Sequence, residues 1–101
     1  MAFKILIKPI VFIDADEAVS YYEKQLLGLG QKFYANFLLS LNDIQQQPFF
    51  YTFVKPPVRR CRIDKFPYKV FYIVADDTIS IIGLAHAKRS NAYIKRRLRM
   101  L

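Results

Sequence analysis

The sequence predicts an α+β fold: an α-helical hairpin packed on one face of a small antiparallel β-sheet, in the order β-α-α-β-β-β(-β). Three observations predict it. Apolar residues recur at helical spacing from Ala15 to Ile44, and the period shifts to strand alternation after Pro48. The glycines of "LLGLG" stand where two helices would turn, while Pro67 and Asp76-Asp77 punctuate the later strands. With 101 residues, 53% hydrophobic and 16% aromatic, the chain can bury a core of its own, so residues 1–101 are read as a single domain.

In chain order, "AFKILIK" alternates as a short strand with Phe3, Ile5 and Ile7 on one face, and Pro9 ends it as suits an edge strand. Asp14 is a good N-cap and Glu17 completes a capping-box spacing. Ala15, Ala18, Val19, Tyr22 and Leu26 then recur at helical spacing, and Gly28 and Gly30 supply the C-cap and turn. A second helix is expected from about Leu29 to Gln46, with Leu29, Phe33, Phe37, Leu41 and Ile44 as its apolar stripe, before Pro48 stops it. Strands are predicted over 49–54, 58–65, 68–75 and 78–86, and "YKVFYIVA" is apolar on both faces, as a covered central strand would be. Residues 90–101 place Ile94, Leu98 and Leu101 on one helical face, consistent with a short amphipathic helix or a frayed basic end.

Charge is distributed unevenly. The net charge is +8, yet residues 1–54 hold four Lys/Arg and five Asp/Glu, whereas residues 55–101 hold twelve Lys/Arg and three Asp/Glu. The excess sits inside strand patterns, which favours a polyanionic partner over a plain solubility device. Several function classes are excluded. One cysteine, Cys61, permits no internal disulfide and reads as a small buried hydrophobe. One Cys and one His cannot make a zinc site of known spacing, so no metal is expected. There is no Walker motif, no dinucleotide fingerprint and no nucleophile elbow, and no small-molecule cofactor is expected. Lys4, Lys8 and Pro9 interrupt the N-terminal apolar run against a signal peptide, and no stretch has the length of a membrane helix. A soluble cytoplasmic protein with no membrane partner is the expectation.

Strand alternation selects the candidate site. Arg59, Cys61 and Ile63 share one face, with Cys61 and Ile63 under the helices, and Val58, Arg60 and Arg62 share the other. Guanidinium groups two residues apart on an uncovered face can bracket a phosphodiester bidentately. His86, at the end of the last strand, and Arg89 beyond it are candidates to reach the same region, where a His could move a proton. Lys65 and Tyr93 join them as candidate target- or nucleic-acid-binding residues. Against this stands the plainer reading, in which the arginines are surface residues and His86 is structural.

The segments "EAVSYYEKQLLGLGQKF", "VRR", "FPYKVFY" and "ISIIGLAHAKR" resemble, in order and over nearly the whole chain, the RelE/ParE superfamily. Its members are toxins of bacterial type II toxin–antitoxin, or plasmid stabilisation, modules. The resemblance implies a growth-inhibiting protein with a cognate antitoxin whose C-terminal segment wraps helices and sheet. It also implies operator DNA binding only through the antitoxin complex. RelE-like members cut mRNA on the ribosome with strand and C-terminal Lys/Arg residues and a nearby Tyr or His; Arg60, Arg62, His86, Arg89 and Tyr93 match that constellation. ParE-like members poison DNA gyrase and are not enzymes. The long "YYE…GLG…F" hairpin and the "LAHAKR" ending look more like the ParE branch, which makes gyrase poisoning the first expectation. RelE-like mRNA cleavage is the alternative, and a non-toxic relative acting only as an antitoxin-binding co-repressor is a third reading.

Overall fold

The computed structural model describes residues 2–88 and 91–99. Strand β1 (Lys4–Ile7) leads into α1 (Pro9–Gln25) and α2 (Leu29–Gln46). Strands β2 (Phe53–Lys55), β3 (Val58–Arg62), β4 (Tyr68–Ala75) and β5 (Thr78–His86) follow, and then α3 (Asn91–Arg99).

The first helix begins a turn and a half before the expected cap. Pro9 occupies its first turn, where a missing N–H costs nothing and a fixed φ suits the helix; Lys8 is the N-cap residue and makes no side-chain cap. Asp14 is therefore an interior helical residue, and the capping box with Glu17 does not form. The helical turn is as predicted in place but richer in mechanism. Gly28 takes a left-handed φ of +87°, and the Glu23 carboxylate accepts hydrogen bonds from the N–H groups of Gly28 (3.0 Å) and Gly30 (3.0 Å). An acid on α1 thus caps α2, where the helix dipole favours negative charge.

The five strands form one sheet in the order β1-β5-β4-β3-β2. Pairings within β2–β5 are antiparallel, but β1 runs parallel to β5 with Ile5 opposite Ile79. The sheet is thus mixed rather than purely antiparallel, and the helical hairpin lies within the long crossover that a parallel pair requires. The strand expected over 49–54 contracts to Phe53–Lys55, and that over 58–65 ends at Arg62.

The hairpin covers one sheet face. Val11, Ala15, Ala18, Phe33, Phe37 and Ile44 pack there on Cys61, Ile63, Val70, Tyr72, Ile79 and Ile81. The opposite face, expected to lie open, is partly roofed. α3 sets Tyr93 and Ile94 on Val58, Phe71, Ile82 and Ala85, with Leu98 packed against that cluster. This second cluster is why β4 reads as apolar on both faces. A register shift between Phe71 and Tyr72 leaves Ile82 without a partner on β4; Ile82 packs in the α3 cluster, and the extra residue returns Leu84 to the hairpin side.

Candidate functional site

The part of the second face that α3 leaves uncovered is cationic. Cross-strand register puts Arg62 opposite Lys69 and Arg60 opposite Phe71. Lys69 therefore lies directly across from one arginine and diagonally from the other. The three side chains share a groove of about 390 Å³ with Phe50, Tyr51 and Thr52, and none of these six residues is acidic. Lys69 responds to this setting: partial burial, then the charges of Arg60 and Arg62, lower the pKa of its ammonium.

The segment before β2 forms the groove's rim, and Arg59 fixes it. Its guanidinium donates to the carbonyls of Tyr51 (2.7 Å) and Phe49 (3.3 Å). It also stacks 3.9 Å from the centroid of Phe53, its cross-strand partner. The Arg60 N–H donates to Thr52 O at 3.1 Å, so both sides of the rim are tied to β3. Beneath it, burial pushes the Cys61 thiol up to about 11 and Tyr51 up to about 12, which makes Cys61 an inert core group as expected.

The remaining candidates lie elsewhere. His86 pairs with Tyr68 across β4 and β5, its ring 5.4 Å from that of Tyr68, which packs under the hairpin against Tyr22 and Phe33. His86 thus stands on the helix side of the sheet, away from Arg60 and Arg62, because strand alternation sends it there with Leu84. It opens onto a different groove of about 440 Å³, shared with Glu17, Tyr21 and Arg96. Its Nδ1 accepts the Lys88 N–H at 3.1 Å. Lys65 has a positive φ of 68° and faces α2 beside Lys32 and Asn36, not the arginines. Arg89 lies outside the described residues.

Tyr93 is buried rather than presented to a target. Its hydroxyl accepts the Leu84 N–H at 3.2 Å and lies 3.2 Å from both Leu84 O and Asp14 Oδ2. Burial and the neighbouring Asp14 charge push its pKa up to about 12. Asp14 also receives Arg97 bidentately, at 2.7 and 2.8 Å, while Arg97 donates to Ile82 O at 3.1 Å. The group read as a helix cap is thus the hub that ties α3 to α1 across the edge of β5. Beyond Ile81, β5 has no β1 partner, and this hub satisfies its free Leu84 N–H.

Of the candidates read from the sequence, the structure brings Arg60 and Arg62 together and sets beside them Lys69 and the Phe50 rim, which that reading did not single out, nor did it single out Arg97.

No protein-family model matches the chain, and no curated protein matches it significantly. Solved structures do. A chain of the chromosomal ParDE toxin–antitoxin system from P. aeruginosa superposes with a TM-score of 0.72 at 17% identity, covering 84% of this chain and 96% of that one. A mutant of the E. coli toxin RelE in the free state gives 0.72 at 16% identity, with both chains fully covered (100%). The archaeal RelE–RelB complex from Pyrococcus horikoshii OT3 gives 0.59 at 19%, covering 89% and 100%. The chain has the RelE/ParE fold. Within it, the helical hairpin, the mixed sheet and α3 leave an open cationic groove at Arg60, Arg62 and Lys69. Among the described residues, no helix is long and apolar enough to cross a membrane.

Proposed function

We propose that this chain is the toxin component of a type II toxin–antitoxin module, cytoplasmic and neutralised by a cognate antitoxin, and that it engages its target through the Arg60–Arg62–Lys69 groove. Operator DNA would be contacted only through the antitoxin complex. Support comes from the RelE/ParE fold together with the sequence motifs that resemble that superfamily.

The single observation that favours RNA as target is the groove's charge: two guanidiniums and one ammonium, with no carboxylate among its lining residues. Arg60 and Arg62 would hold a phosphodiester and stabilise the charge that builds on its oxygens during cleavage. Lys69, its pKa lowered, is the candidate for proton transfer. The reading is thus a RelE-like endoribonuclease.

Poisoning of DNA gyrase is the second reading, and a specific observation favours it. His86 stands on the other side of the sheet and Tyr93 is engaged by Leu84 and Asp14, so neither serves the cationic face. A surface that only binds needs neither.

Brief induction without antitoxin, followed by growth measurement and primer extension on an abundant mRNA, separates the readings. New 5′ ends confined to translated regions are the expected result. Growth arrest with intact transcripts and DNA-damage signalling would move the target to gyrase. Uninterrupted growth would reject the toxin reading and leave an antitoxin-binding co-repressor.

A further inference from the structure

Phe50 is 73% exposed, more than Phe49 (60%), Phe12 (44%) or Phe53 (43%), in a chain that buries Phe33 and Phe37 completely. A loose loop would let such a ring fold back onto apolar surface. Here the backbone on both sides is held: Arg59 takes the carbonyls of Phe49 and Tyr51, and the Arg60 N–H takes that of Thr52. Phe50 N–H donates to Gln47 O at 3.2 Å, which closes the turn beneath the ring. The ring of Tyr51 meets that of Phe50 edge-on, at 5.1 Å and 88°. That contact uses Tyr51's ring at right angles and leaves Phe50 largely in solvent.

This fixed, exposed ring borders the same groove as Arg60, Arg62 and Lys69. A planar apolar surface beside a cluster of cations matches one chemistry closely: a base stacked on the ring with its phosphate on the cations. Duplex is a poor fit, because its bases are already stacked on one another. We propose that Phe50 is a stacking platform for an unpaired base, and that the groove takes single-stranded nucleic acid one nucleotide deep at this point. The proposal rests on the RNA reading above and adds a contact to the base, where the cations contact only phosphate.

The test is fluorescence anisotropy with the purified chain and two labelled single-stranded DNA oligonucleotides, which no ribonuclease cleaves. One carries normal bases and the other is abasic throughout, with equal length and charge. Wild type should bind the normal strand about ten-fold more tightly, within the range of one stacked base. Phe50→Ala should remove that preference and bind both strands as wild type binds the abasic one, whereas Phe50→Tyr should keep it. Arg60→Ala should weaken both strands alike and flatten the salt dependence. Since Phe50 is exposed, its truncation leaves the core intact, and circular dichroism checks this. Phe50→Ala with an undiminished preference overturns the platform and leaves the RNA reading standing. No binding of either strand by wild type also overturns the platform, and leaves the ribosome-dependent RNA reading to the primer-extension test. Loss of antitoxin binding in Phe50→Ala with the strand preference kept would make the ring a protein contact, and would equally overturn the platform.

Discussion

At the scale of single residues, Asp14 carries more of the structure than any other acid described. Its carboxylate meets Arg97 twice, the Tyr93 hydroxyl and the Leu84 N–H, with the Asp14 and Arg97 side chains 12% and 10% exposed. Removing one partner of so buried a pair strands the other's charge. Asp14→Ala should therefore lower unfolding free energy by about 3 kcal/mol in urea titration, while a joint Asp14→Leu, Arg97→Met replacement should cost less. A loss below about 1 kcal/mol for Asp14→Ala would show that α3 is held by Ile94 and Leu98 alone. None of this was legible in the sequence. Asp14 and Glu17 have the spacing of a capping box, whereas Asp14's partners Tyr93 and Arg97 lie about eighty positions away. A local pattern was present, but a distant interaction governs the residue. Tyr93 was misjudged for the same reason, since its amphipathic neighbours gave no sign that its hydroxyl would be enclosed.

At the scale of elements, the hairpin of α1 and α2 depends on close approach. A Cβ built on Gly30 would lie 2.7 Å from Val19 O and 3.0 Å from the Glu23 carboxylate. Two effects oppose each other in Gly30→Ala. Helix propensity favours alanine by about 1 kcal/mol, whereas prising apart packed backbones costs about 1–3 kcal/mol. The backbone contact should win, so Gly30→Ala should lower the melting temperature. Gly28→Ala, with open space around the Cβ but a φ of +87°, should also lower it, through backbone strain of about 1 kcal/mol. A raised melting temperature for Gly30→Ala would mean that the helices can part freely. The sequence marked both glycines as a turn, and it placed α2, β4 and β5 at their observed bounds because Pro48, Pro67 and Asp76-Asp77 punctuate the chain strongly. It did not yield the parallel pairing of β1 with β5, since alternation reveals which residues share a face and is silent on which strand lies beside which. Lys69 was lost to the same blindness: only the register of β3 on β4 brings it between the arginines.

At the scale of the molecule, the uneven charge finds its place in the topology. The near-neutral first half builds β1, the hairpin and most of β2, while the basic second half builds β3, β4, β5 and α3. The helices roof one face, α3 roofs part of the other, and the remaining surface is where three cations have no acid among their groove neighbours. Concentrating like charge there destabilises the chain slightly and strengthens its attraction for a polyanion. An antitoxin with an acidic segment laid on that surface would compete with the target for the same charges. His86 supplies the internal control, because it lies on the opposite side of the sheet with its own groove. The measurement that bears most directly on the central claim is growth after induction of two variants at matched protein levels. One carries Arg60→Ala, Arg62→Ala and Lys69→Ala together, and the other carries His86→Ala alone. The expected result is that the triple variant permits growth and remains folded, while His86→Ala arrests growth like wild type. Arrest by the triple variant together with growth of His86→Ala would place the functional surface on the helix side of the sheet and contradict the assignment made to the cationic groove.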